Sequence, residues 1–478
     1  MTSVLPAFVA TRPRVADAMA LVAGALYPLA FSPFGLWPFA FVALVVLVVV
    51  TTDENVSVRR GSGRFFLFAL GVYGVGTSWI YVSIHDHGNA SPLLASLLVA
   101  AFVLGLSLLS WIHGWLFLRF VRPLPSGVAF GFALTWLLRE WGLTWILTGF
   151  PWLLVGYGFL DTALAGYVPV VGVLGLGFLV ALQSSLVARV IGAPSRRLAG
   201  AAAAIIVLVW FGGFALRHVG FVERTGAPIS VAAVQGNIDQ RVKWRRDMIG
   251  PIIDTHLSLT NEVWDSDLIV WPEASITLFR ESAESLLNVL DRRASQAGAA
   301  LILGIPDRGN EGQFFNTAIA LGTGEGQYIK RRLVPFGEYV PLEGLLRGTI
   351  DFFDLPMSRN RPGPRVQEQL LVDGMRVGVS ICYEIVYPEL VRAPTVGPDL
   401  LVTISNDTWF GNSIGPWQHM EMARARALEN GRYLIRGTNN GITAIVDPNG
   451  RIAHRLPASR RACWRARYTG SRAARHTG

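Results

Sequence analysis

Three residues of the types that acyl transfer requires each lie beside a short apolar run in the C-terminal half of the chain. Glu273 ends an Ile-Val-Trp-Pro-Glu segment, Lys330 precedes Arg-Arg-Leu-Val-Pro-Phe-Gly-Glu, and Cys382 follows Val-Gly-Val-Ser-Ile. A thiolate is a nucleophile, a carboxylate can take the thiol proton, and an ammonium can stabilise an oxyanion. Catalytic groups often lie on loops that a rigid sheet positions. The three residues are therefore candidates for one acyl-transfer site.

Each of the three residues also fits an ordinary structural role when it is taken alone. A cysteine after an apolar strand is often a small buried side chain, and a single glutamate or lysine is usually a solvated surface charge. The residue types therefore allow a catalytic trio without requiring one.

The elements that would hold this trio begin near residue 217, where short β-branched runs alternate with helical stretches. This alternation predicts an α/β layered domain over residues 217–457. The predicted strands are Ile229–Gln235, Asp267–Trp271, Ala300–Gly304, Thr317–Leu321, Arg376–Ile381, Leu400–Ile404 and Ile442–Val446. The predicted helices are Asp247–Val263, Ala283–Ala297 and Trp417–Asn430.

Long apolar runs dominate residues 1–216. Of the 478 residues, 51% are apolar and 16% are charged, whereas about 25% are charged in an ordinary soluble protein. We therefore predict a polytopic α-helical membrane domain with about seven spans, of which the second is short for a span of about 20 residues. The predicted spans are Val15–Phe34, Leu36–Val50, Phe65–Ile84, Leu93–Leu118, Val128–Leu147, Ala163–Val187 and Ala199–Leu216.

Arginines alternate between the connections of these spans. They occur at the N-terminus and in the second, fourth and sixth loops, and the other loops have none. The positive-inside rule then places the N-terminus in the cytoplasm, and seven crossings place the later domain outside it. The net charge of +9 is thus interpreted as a topology signal, and we predict no nucleic-acid partner. The two cysteines, Cys382 and Cys463, are too few for a disulfide framework.

Ionisable residues also lie near the outer ends of two predicted spans. His85, Asp86 and His87 follow the third span, and Arg139 and Glu140 lie in the outer half of the fifth. Such groups can contribute to a lipid-substrate site. The commoner explanation is interfacial solvation or a local ion pair, and both interpretations stay open here.

Three ordered segments resemble the signature motifs of the carbon–nitrogen hydrolase (nitrilase) superfamily. They are Trp-Pro-Glu273, the Lys330 block through Leu-Val-Pro-Phe-Gly-Glu338, and Ile-Cys382-Tyr-Glu384. More narrowly, Val-Gln-Gly-Asn237, Lys243-Trp244, Asn406-Asp-Thr-Trp-Phe-Gly and Thr148-Gly-Phe-Pro-Trp resemble the apolipoprotein N-acyltransferase family. The likeness covers about residues 10–452, and several ordered blocks are far more specific than one short motif.

The resemblance implies an αββα sandwich domain on the outer side of a bacterial cytoplasmic (inner) membrane. It implies N-acylation of the diacylglyceryl-cysteine of apolipoproteins through a thioester on Cys382, with a phospholipid as acyl donor. No metal or organic cofactor is implied, because thioester-to-amide transfer is downhill. We expect a membrane-embedded monomer.

The resemblance also assigns roles residue by residue. Glu273 matches the general base, Lys330 the oxyanion-stabilising cation and Cys382 the nucleophile. Residues that match further groups needed for activity are Glu338, Tyr383 and Glu384, and those that match aromatics near the acyl site are Trp244 and Trp409.

One segment departs from the family pattern. Members usually end with another transmembrane helix, whereas residues 458–478 form an Arg-rich tail without an apolar span. We treat 458–478 as lying outside the catalytic domain and assign Cys463 no function.

Two other functions compete with the transferase. The same trio would serve a membrane-tethered amidase or nitrilase that gives the acyl group to water. A transporter or scaffold with a degenerate domain is the non-enzymatic alternative. Intact Glu273, Lys330 and Cys382, and the lack of an inverted repeat among the spans, argue against that alternative.

Overall fold

The computed structural model describes residues 11–124, 127–309, 312–341, 343–346, 359–392 and 397–473. For residues 223–227, 345–346 and 467–473 only the backbone is described. The chain divides into two compact units. The first comprises Met1–Tyr81 and Ser91–Val219, and the second comprises Val82–Ala90 and Gly220–Gly478. The sequence-based boundary at 216/217 did not anticipate that residues 82–90 belong to the second unit.

The first unit is helical. Serines cap three of its helices, because Ser57, Ser91 and Ser195 each accept a hydrogen bond from the main-chain N–H three residues later. The α-helices through residue 216 are α1 (Pro13–Leu26), α2 (Pro38–Thr52), α3 (Val58–Gly76), α4 (Trp79–Val82), α5 (Pro92–Leu116), α6 (Phe132–Gly142), α7 (Val168–Gly192) and α8 (Arg196–Leu216).

Three helical stretches in the described residues are long and apolar enough to cross a membrane. They are Pro92–Val121, Ala163–Gly192 and Arg196–Leu216. A fourth is possible if the bent pair Val58–Gly76 and Trp79–His87 forms one span. The short second run is the 15-residue helix α2. The other predicted spans correspond to shorter or interrupted helices, so the number of seven stays a prediction.

Arg139 and Glu140 of the first unit each make hydrogen bonds to neighbouring groups. Nη2 of Arg139 lies 2.9 Å from the Tyr73 hydroxyl and 3.1 Å from Oγ of Ser110. Oε1 of Glu140 accepts a 2.8 Å hydrogen bond from the main-chain N–H of Val155. The sequence allowed a local ion pair for Arg139 and Glu140. In the structure, both residues instead make hydrogen bonds to neighbouring uncharged polar groups.

The second unit contains two β-sheets. The first sheet has the order β13-β1-β2-β3-β4-β6, and the second has the order β12-β11-β10-β9-β8-β7-β5. The strands are β1 (Val222–Gln235), β2 (Leu268–Val270), β3 (Ala300–Arg308), β4 (Phe314–Gly322), β5 (Gly324–Glu325), β6 (Gln327–Ile329), β7 (Leu370–Val372), β8 (Met375–Ile381), β9 (Leu400–Ser405), β10 (Leu434–Thr438), β11 (Ala444–Val446), β12 (Ile452–Arg455) and β13 (Ala462–Ala473).

Helices cover the outer faces of these sheets. The helices of this unit are α9 (Gln240–Lys243), α10 (Ile249–Thr260), α11 (Glu284–Ala297), α12 (Glu343–Leu346), α13 (Pro388–Val391) and α14 (Gly415–Asn430). Leu287 and Leu290 of α11 pack with Leu301 of β3 in one buried cluster. Helix α14 contacts β10 and β11 of the other sheet.

The inner faces of the two sheets form the second buried cluster. Val231, Val270 and Ile302 of the first sheet pack with Val377 and Val402 of the second. Helix layers outside two face-to-face sheets make an αββα sandwich, so the predicted fold class is confirmed. Every residue of β9 is buried. This pattern is typical of a strand that is covered on both faces.

The segment 458–478 requires a correction. The sequence analysis treated it as a tail, but residues 462–473 form β13, which pairs antiparallel with β1 at the edge of the first sheet. Cys463 lies opposite Val234 in this pairing. The many arginines concealed the strand, because an edge strand with an exposed face tolerates charged side chains.

Candidate active site

Glu273, Lys330 and Cys382 lie at the ends of three strands of the second unit. Glu273 follows β2, Lys330 follows β6 and Cys382 follows β8. Glu273 is 6% exposed and Lys330 is 1% exposed. The structure therefore brings the three candidate catalytic residues together in a largely buried site, and burial strengthens the electrostatic interactions among them.

Three donors hold the Glu273 carboxylate. Oε1 accepts hydrogen bonds from Nδ2 of Asn316 at 2.7 Å and from Nζ of Lys330 at 3.2 Å. Oε2 accepts one from the main-chain N–H of Asn406 at 2.9 Å. Lys243 lies near enough to act on the carboxylate through its charge. Burial alone would raise the pKa of Glu273, but these partners, above all Lys330, outweigh it and lower the pKa. The group is thus a carboxylate that is ready to accept a proton.

Lys330 lies between two carboxylates. Its Nζ donates to Glu273 and, at 2.8 Å, to Oε1 of Glu338. Glu338 is itself held by the main-chain N–H of Val334, which donates to Oε2 at 2.8 Å. Burial opposes the charge of Lys330, yet the two carboxylates raise its pKa well above the usual value. The ammonium is therefore permanently charged, as an oxyanion-stabilising group must be.

Cys382 has an unusual backbone conformation. Its φ angle is +53°, a left-handed value that costs a non-glycine residue roughly 1–2 kcal/mol. The residue forms the turn between β8 and a 3₁₀ helix over Cys382–Val386. Surrounding contacts must compensate for this strain, and strained residues are concentrated at functional sites.

The Cys382 thiol is protonated in the resting site. Burial and the Glu273 carboxylate raise the pKa of Cys382 to about 12, although Lys330 opposes the shift. An unassisted thiol of this kind is a poor nucleophile at neutral pH. A neighbouring carboxylate that takes the proton during attack removes this limitation.

Glu384 ties the Lys330 segment to the Cys382 turn. Its Oε1 accepts from the main-chain N–H groups of Arg331 at 2.7 Å and Arg332 at 3.1 Å, and from the Tyr328 hydroxyl at 2.9 Å. Its Oε2 accepts from the N–H of Ile381 at 2.8 Å. Glu384 is fully buried. It is thus a positioning residue that fixes the backbone on both sides of the site.

Tyr383 follows the nucleophile and is almost entirely buried. Its ring lies 5.3 Å from that of Tyr387 in an edge-to-face contact. Burial, together with Tyr387, raises the pKa of Tyr383 well above its usual value. The phenol is therefore neutral, and its ring has a packing role beside the nucleophile.

The two tryptophans named from the sequence occupy different environments. Trp244 follows α9 and is 45% exposed. Trp409 lies in a 3₁₀ helix over Asp407–Phe410. Its carbonyl oxygen accepts a 2.7 Å hydrogen bond from Oγ of Ser83, and its ring lies 5.8 Å from that of His87. His87, noted from the sequence as an ionisable residue at a span end, therefore packs against the Trp409 loop.

A buried charged cluster lies behind Cys382 and was not predicted. Nε2 of His419 lies 3.2 Å from the Cys382 carbonyl oxygen, and Nδ1 lies 2.9 Å from Nη2 of Arg436. Arg436 also donates to Oδ2 of Asp407 at 2.6 Å. Nδ1 of His419 also lies 3.1 Å from Oδ1 of Asp407, so this nitrogen lies between the Arg436 guanidinium and the Asp407 carboxylate. The cluster thus holds the strained Cys382 main chain.

Sequence reasoning missed other residues of this site as well. Asn316 and Lys243 contact Glu273 through its side chain and main chain. Lys243 and Asn406 stand inside quoted motifs, so the motifs located them without giving them a role. Asn316, His419 and Arg436 carried no sequence signal, because their partners are distant along the chain. Among the described residues, no group of three His, Cys, Asp or Glu side chains is placed to hold a metal.

Two family models match the chain. The carbon–nitrogen hydrolase model matches residues 230–462, and the apolipoprotein N-acyltransferase N-terminal domain matches residues 23–186. The apolipoprotein N-acyltransferase of Pseudomonas syringae pv. tomato is 43% identical over 448 residues, covering 92% of this chain and 88% of the relative. That of Azotobacter vinelandii is 45% identical over 452 residues, covering 93% and 87%.

This chain belongs to the apolipoprotein N-acyltransferase family. The family relative from Coxiella burnetii is 37% identical, with 93% of this chain and 92% of the relative covered. The predicted family, the acyltransferase class and a bacterial membrane protein are thereby confirmed.

Two solved structures are similar to about half of this chain. The NitFhit protein of Caenorhabditis elegans is 17% identical, with 52% of this chain and 62% of that chain covered at a TM-score of 0.41. A carbon–nitrogen hydrolase from Helicobacter pylori is 15% identical, with 50% and 88% covered at a TM-score of 0.38.

Proposed function

We propose that this enzyme transfers an acyl chain from a membrane phospholipid to the α-amino group of the diacylglyceryl-cysteine of apolipoproteins. One observation carries the proposal. Glu273, Lys330 and Cys382, the three groups that acyl transfer needs, share one buried site in a chain of the apolipoprotein N-acyltransferase family. The acyl chains explain the membrane helices, because moving such chains into water costs about 0.8 kcal/mol per CH₂ group.

The first step forms a thioester. Glu273 takes the proton of the Cys382 thiol while the sulfur attacks the ester carbonyl of the phospholipid. The Lys330 ammonium and the main-chain N–H of Tyr383 stabilise the oxyanion. The carbon–oxygen bond then breaks, and Glu273 returns the proton to the lysophospholipid oxygen that leaves.

The second step forms the amide. The α-amine of the apolipoprotein attacks the thioester carbonyl while Glu273 takes a proton from the nitrogen. The carbon–sulfur bond breaks, and Glu273 gives that proton to the Cys382 sulfur. Each step returns Glu273 to its starting protonation state, and the second step also restores the Cys382 thiol. The full cycle therefore needs no external reductant or energy source.

The side of the membrane and the oligomeric state are part of the proposal. The alternating arginines support a catalytic unit on the periplasmic or other extracytoplasmic side of the cytoplasmic membrane. We propose a monomeric enzyme.

Intact-mass spectrometry of the full chain tests this function. After incubation with phospholipid vesicles, we expect an acyl-sized, hydroxylamine-labile mass increase in the wild type and in Cys463→Ala, and none in Cys382→Ala. Addition of a diacylated lipopeptide should discharge the adduct and release N-acylated peptide.

Two outcomes would overturn parts of the proposal. An adduct that persists in Cys382→Ala would place the nucleophile elsewhere. Discharge of the adduct to free fatty acid, at a rate that the lipopeptide does not change, would favour the membrane-tethered amidase.

A further inference from the structure

Lys243 is a second buried lysine beside Glu273. The sequence contains two lysines, Lys243 and Lys330, and the structure buries both in one site. Lys243 is the last residue of α9 and is 2% exposed. Asp239 caps this short helix by accepting a 2.9 Å hydrogen bond from the main-chain N–H of Arg241. A buried ammonium is costly unless nearby groups stabilise it, so its position needs an explanation.

The contacts of Lys243 differ from those of Lys330. Its Nζ donates a 3.0 Å hydrogen bond to the main-chain carbonyl oxygen of Glu273. Within the described parts of the chain, no carboxylate oxygen lies within 4.0 Å of this nitrogen. Lys330, by contrast, contacts the carboxylates of both Glu273 and Glu338. The charge of Lys243 is therefore not neutralised by a direct ion pair.

The field of this charge acts on the reacting groups. Lys243 interacts electrostatically with the Glu273 carboxylate and with the Cys382 thiol. Without Lys243, the site would hold Lys330 against two carboxylates, and a thiolate would add a third negative charge. With Lys243, two ammonium groups balance the two carboxylates before the thiol ionises. A nearby positive charge favours the ionised form of a thiol.

We propose that Lys243 is a positioning residue of the active site, which fixes the Glu273 main chain and supplies the second positive charge that lowers the free energy of the Cys382 thiolate. This inference rests on the proposed function for its catalytic consequence. Its electrostatic consequence, the reactivity of the Cys382 sulfur, is measurable without any lipid substrate.

The pH dependence follows from the groups that face Lys243. These groups are Glu273 after β2, Cys382 after β8 and His256 on α10. Burial lowers the pKa of Lys243 to about 8, against the opposing influence of Glu273 and Cys382. Below this pH the ammonium is present and favours the thiolate. Above it the charge is lost, so the reactivity of Cys382 should rise less steeply with pH.

Three substitutions separate the two parts of the role. Lys243→Arg keeps both the charge and the donor, Lys243→Gln keeps a donor without the charge, and Lys243→Met keeps neither. Arg241→Gln is the matched control, because Arg241 is an exposed cation on the same helix, paired with Asp239. The measurement is the rate of iodoacetamide alkylation of Cys382 in the full-length protein in detergent, from pH 6 to 10, by peptide mass spectrometry.

We expect Lys243→Gln and Lys243→Met to slow alkylation at pH 7.5 by about tenfold or more, the effect of losing a cation at close range. Lys243→Arg should retain the rate and lose the change of slope near pH 8, and Arg241→Gln should behave as the wild type. Alkylation in Lys243→Gln at the wild-type rate across the pH range would overturn the inference. If the variants do not fold, a wild-type profile without a change of slope near pH 8 overturns it.

The acyl-adduct experiment stays separate from this one. An alkylation profile that depends on Lys243 in a protein that forms no acyl adduct would overturn the proposed function and leave the electrostatic role of Lys243 intact. Normal acyl transfer with a rate constant for thioester formation that is unchanged in Lys243→Gln would overturn the inference and leave the proposed function intact.

Discussion

The side-chain nitrogen of Asn316 lies 2.7 Å from Oε1 of Glu273, and the same nitrogen lies 3.1 Å from Oε1 of Glu338. The Asn316 side-chain amide therefore donates to both of the carboxylates that bind Lys330, and this bridge holds them at a fixed separation. The residue stands on β4, in the sheet that also carries β2 and β6. Glu273 follows β2 and Lys330 follows β6. The separation of these two residues is therefore fixed by Asn316 on β4, a strand of the same sheet.

Replacement of Asn316 should impair the reaction without abolishing it. Asn316→Ala removes one donor to the general base, and Asn316→Asp adds a negative charge between two carboxylates. We expect kcat to fall by about tenfold to hundredfold in Asn316→Ala and by more in Asn316→Asp. KM should change little, because the substitutions disturb the orientation of the general base and leave substrate binding intact. Steady-state transfer to a fluorescent lipopeptide measures this. A larger loss in Ala than in Asp would contradict the electrostatic part of the argument.

Glu273→Gln should separate the charge of Glu273 from its proton transfer. The carboxylate raises the pKa of Cys382, so a neutral amide should lower the apparent pKa of the thiol and speed alkylation at pH 8. Acyl transfer should fall by about 10²–10⁴-fold, because the general base is lost. Parallel alkylation and transfer assays test this opposite response.

The control for that prediction is Glu262→Gln, a carboxylate beside the other cysteine, Cys463. It should change neither the alkylation of Cys382 nor acyl transfer. If Glu273→Gln slows both reactions equally, Glu273 does not raise the pKa of the thiol.

Glu384→Gln should destabilise the catalytic unit. Each oxygen of Glu384 accepts hydrogen bonds, so an amide nitrogen in either place faces a buried donor. A buried donor without a partner costs about 1–3 kcal/mol, and we expect a corresponding fall in Tm together with lower activity. Glu389→Gln is the control, since Glu389 is an exposed carboxylate five residues further along the chain. A Tm for Glu384→Gln equal to that of the control would argue against the positioning role.

The cluster behind Cys382 should make stability depend on pH. Burial and Arg436 lower the pKa of His419. Its unfolded pKa is about 6.5, so the unfolded chain binds more protons as pH falls below this value. Stability that is present above pH 6.5 is therefore lost on acidification, with a slope of up to about 1.4 kcal/mol per pH unit.

His419→Gln should reduce this slope between pH 6.5 and 5, and His454→Gln, at an exposed histidine, should leave it unchanged. Thermal unfolding in detergent across this range measures both variants. A slope that is equal in His419→Gln and the wild type would show that His419 is not the group responsible.

The sequence predicted those parts of the fold that depend on local patterns. The run Leu400–Ile404 became β9 and the periodic segment Ala283–Ala297 became α11, because apolar spacing decides both. Strand β10 was missed, since Arg436 lies inside it and its carboxylate partner, Asp407, comes from another element. Strand β13 was missed for a related reason, because its arginines conceal an edge pairing that only β1 specifies.

The site was predicted where residue types and motifs carried the chemistry. Glu273, Lys330 and Cys382 could be named in this way, and their assigned roles remain proposals. The groups that tune them could not be given a role, because Asn316, Lys243 and His419 contact them only through the tertiary fold. Such contacts leave no spacing rule in a single sequence.

The Trp409 loop depends on a segment far from it in the chain. Ser83 and His87 contact Trp409, and residues 82–90 belong to the second unit although about 130 residues of the first unit separate them from Gly220. A fragment that starts at Gly220 would retain Glu273, Lys330 and Cys382 and would lose this support. Ligand screening against such a fragment would therefore use a Trp409 loop that lacks its contacts with Ser83 and His87. Inhibitors should be sought with the intact polypeptide.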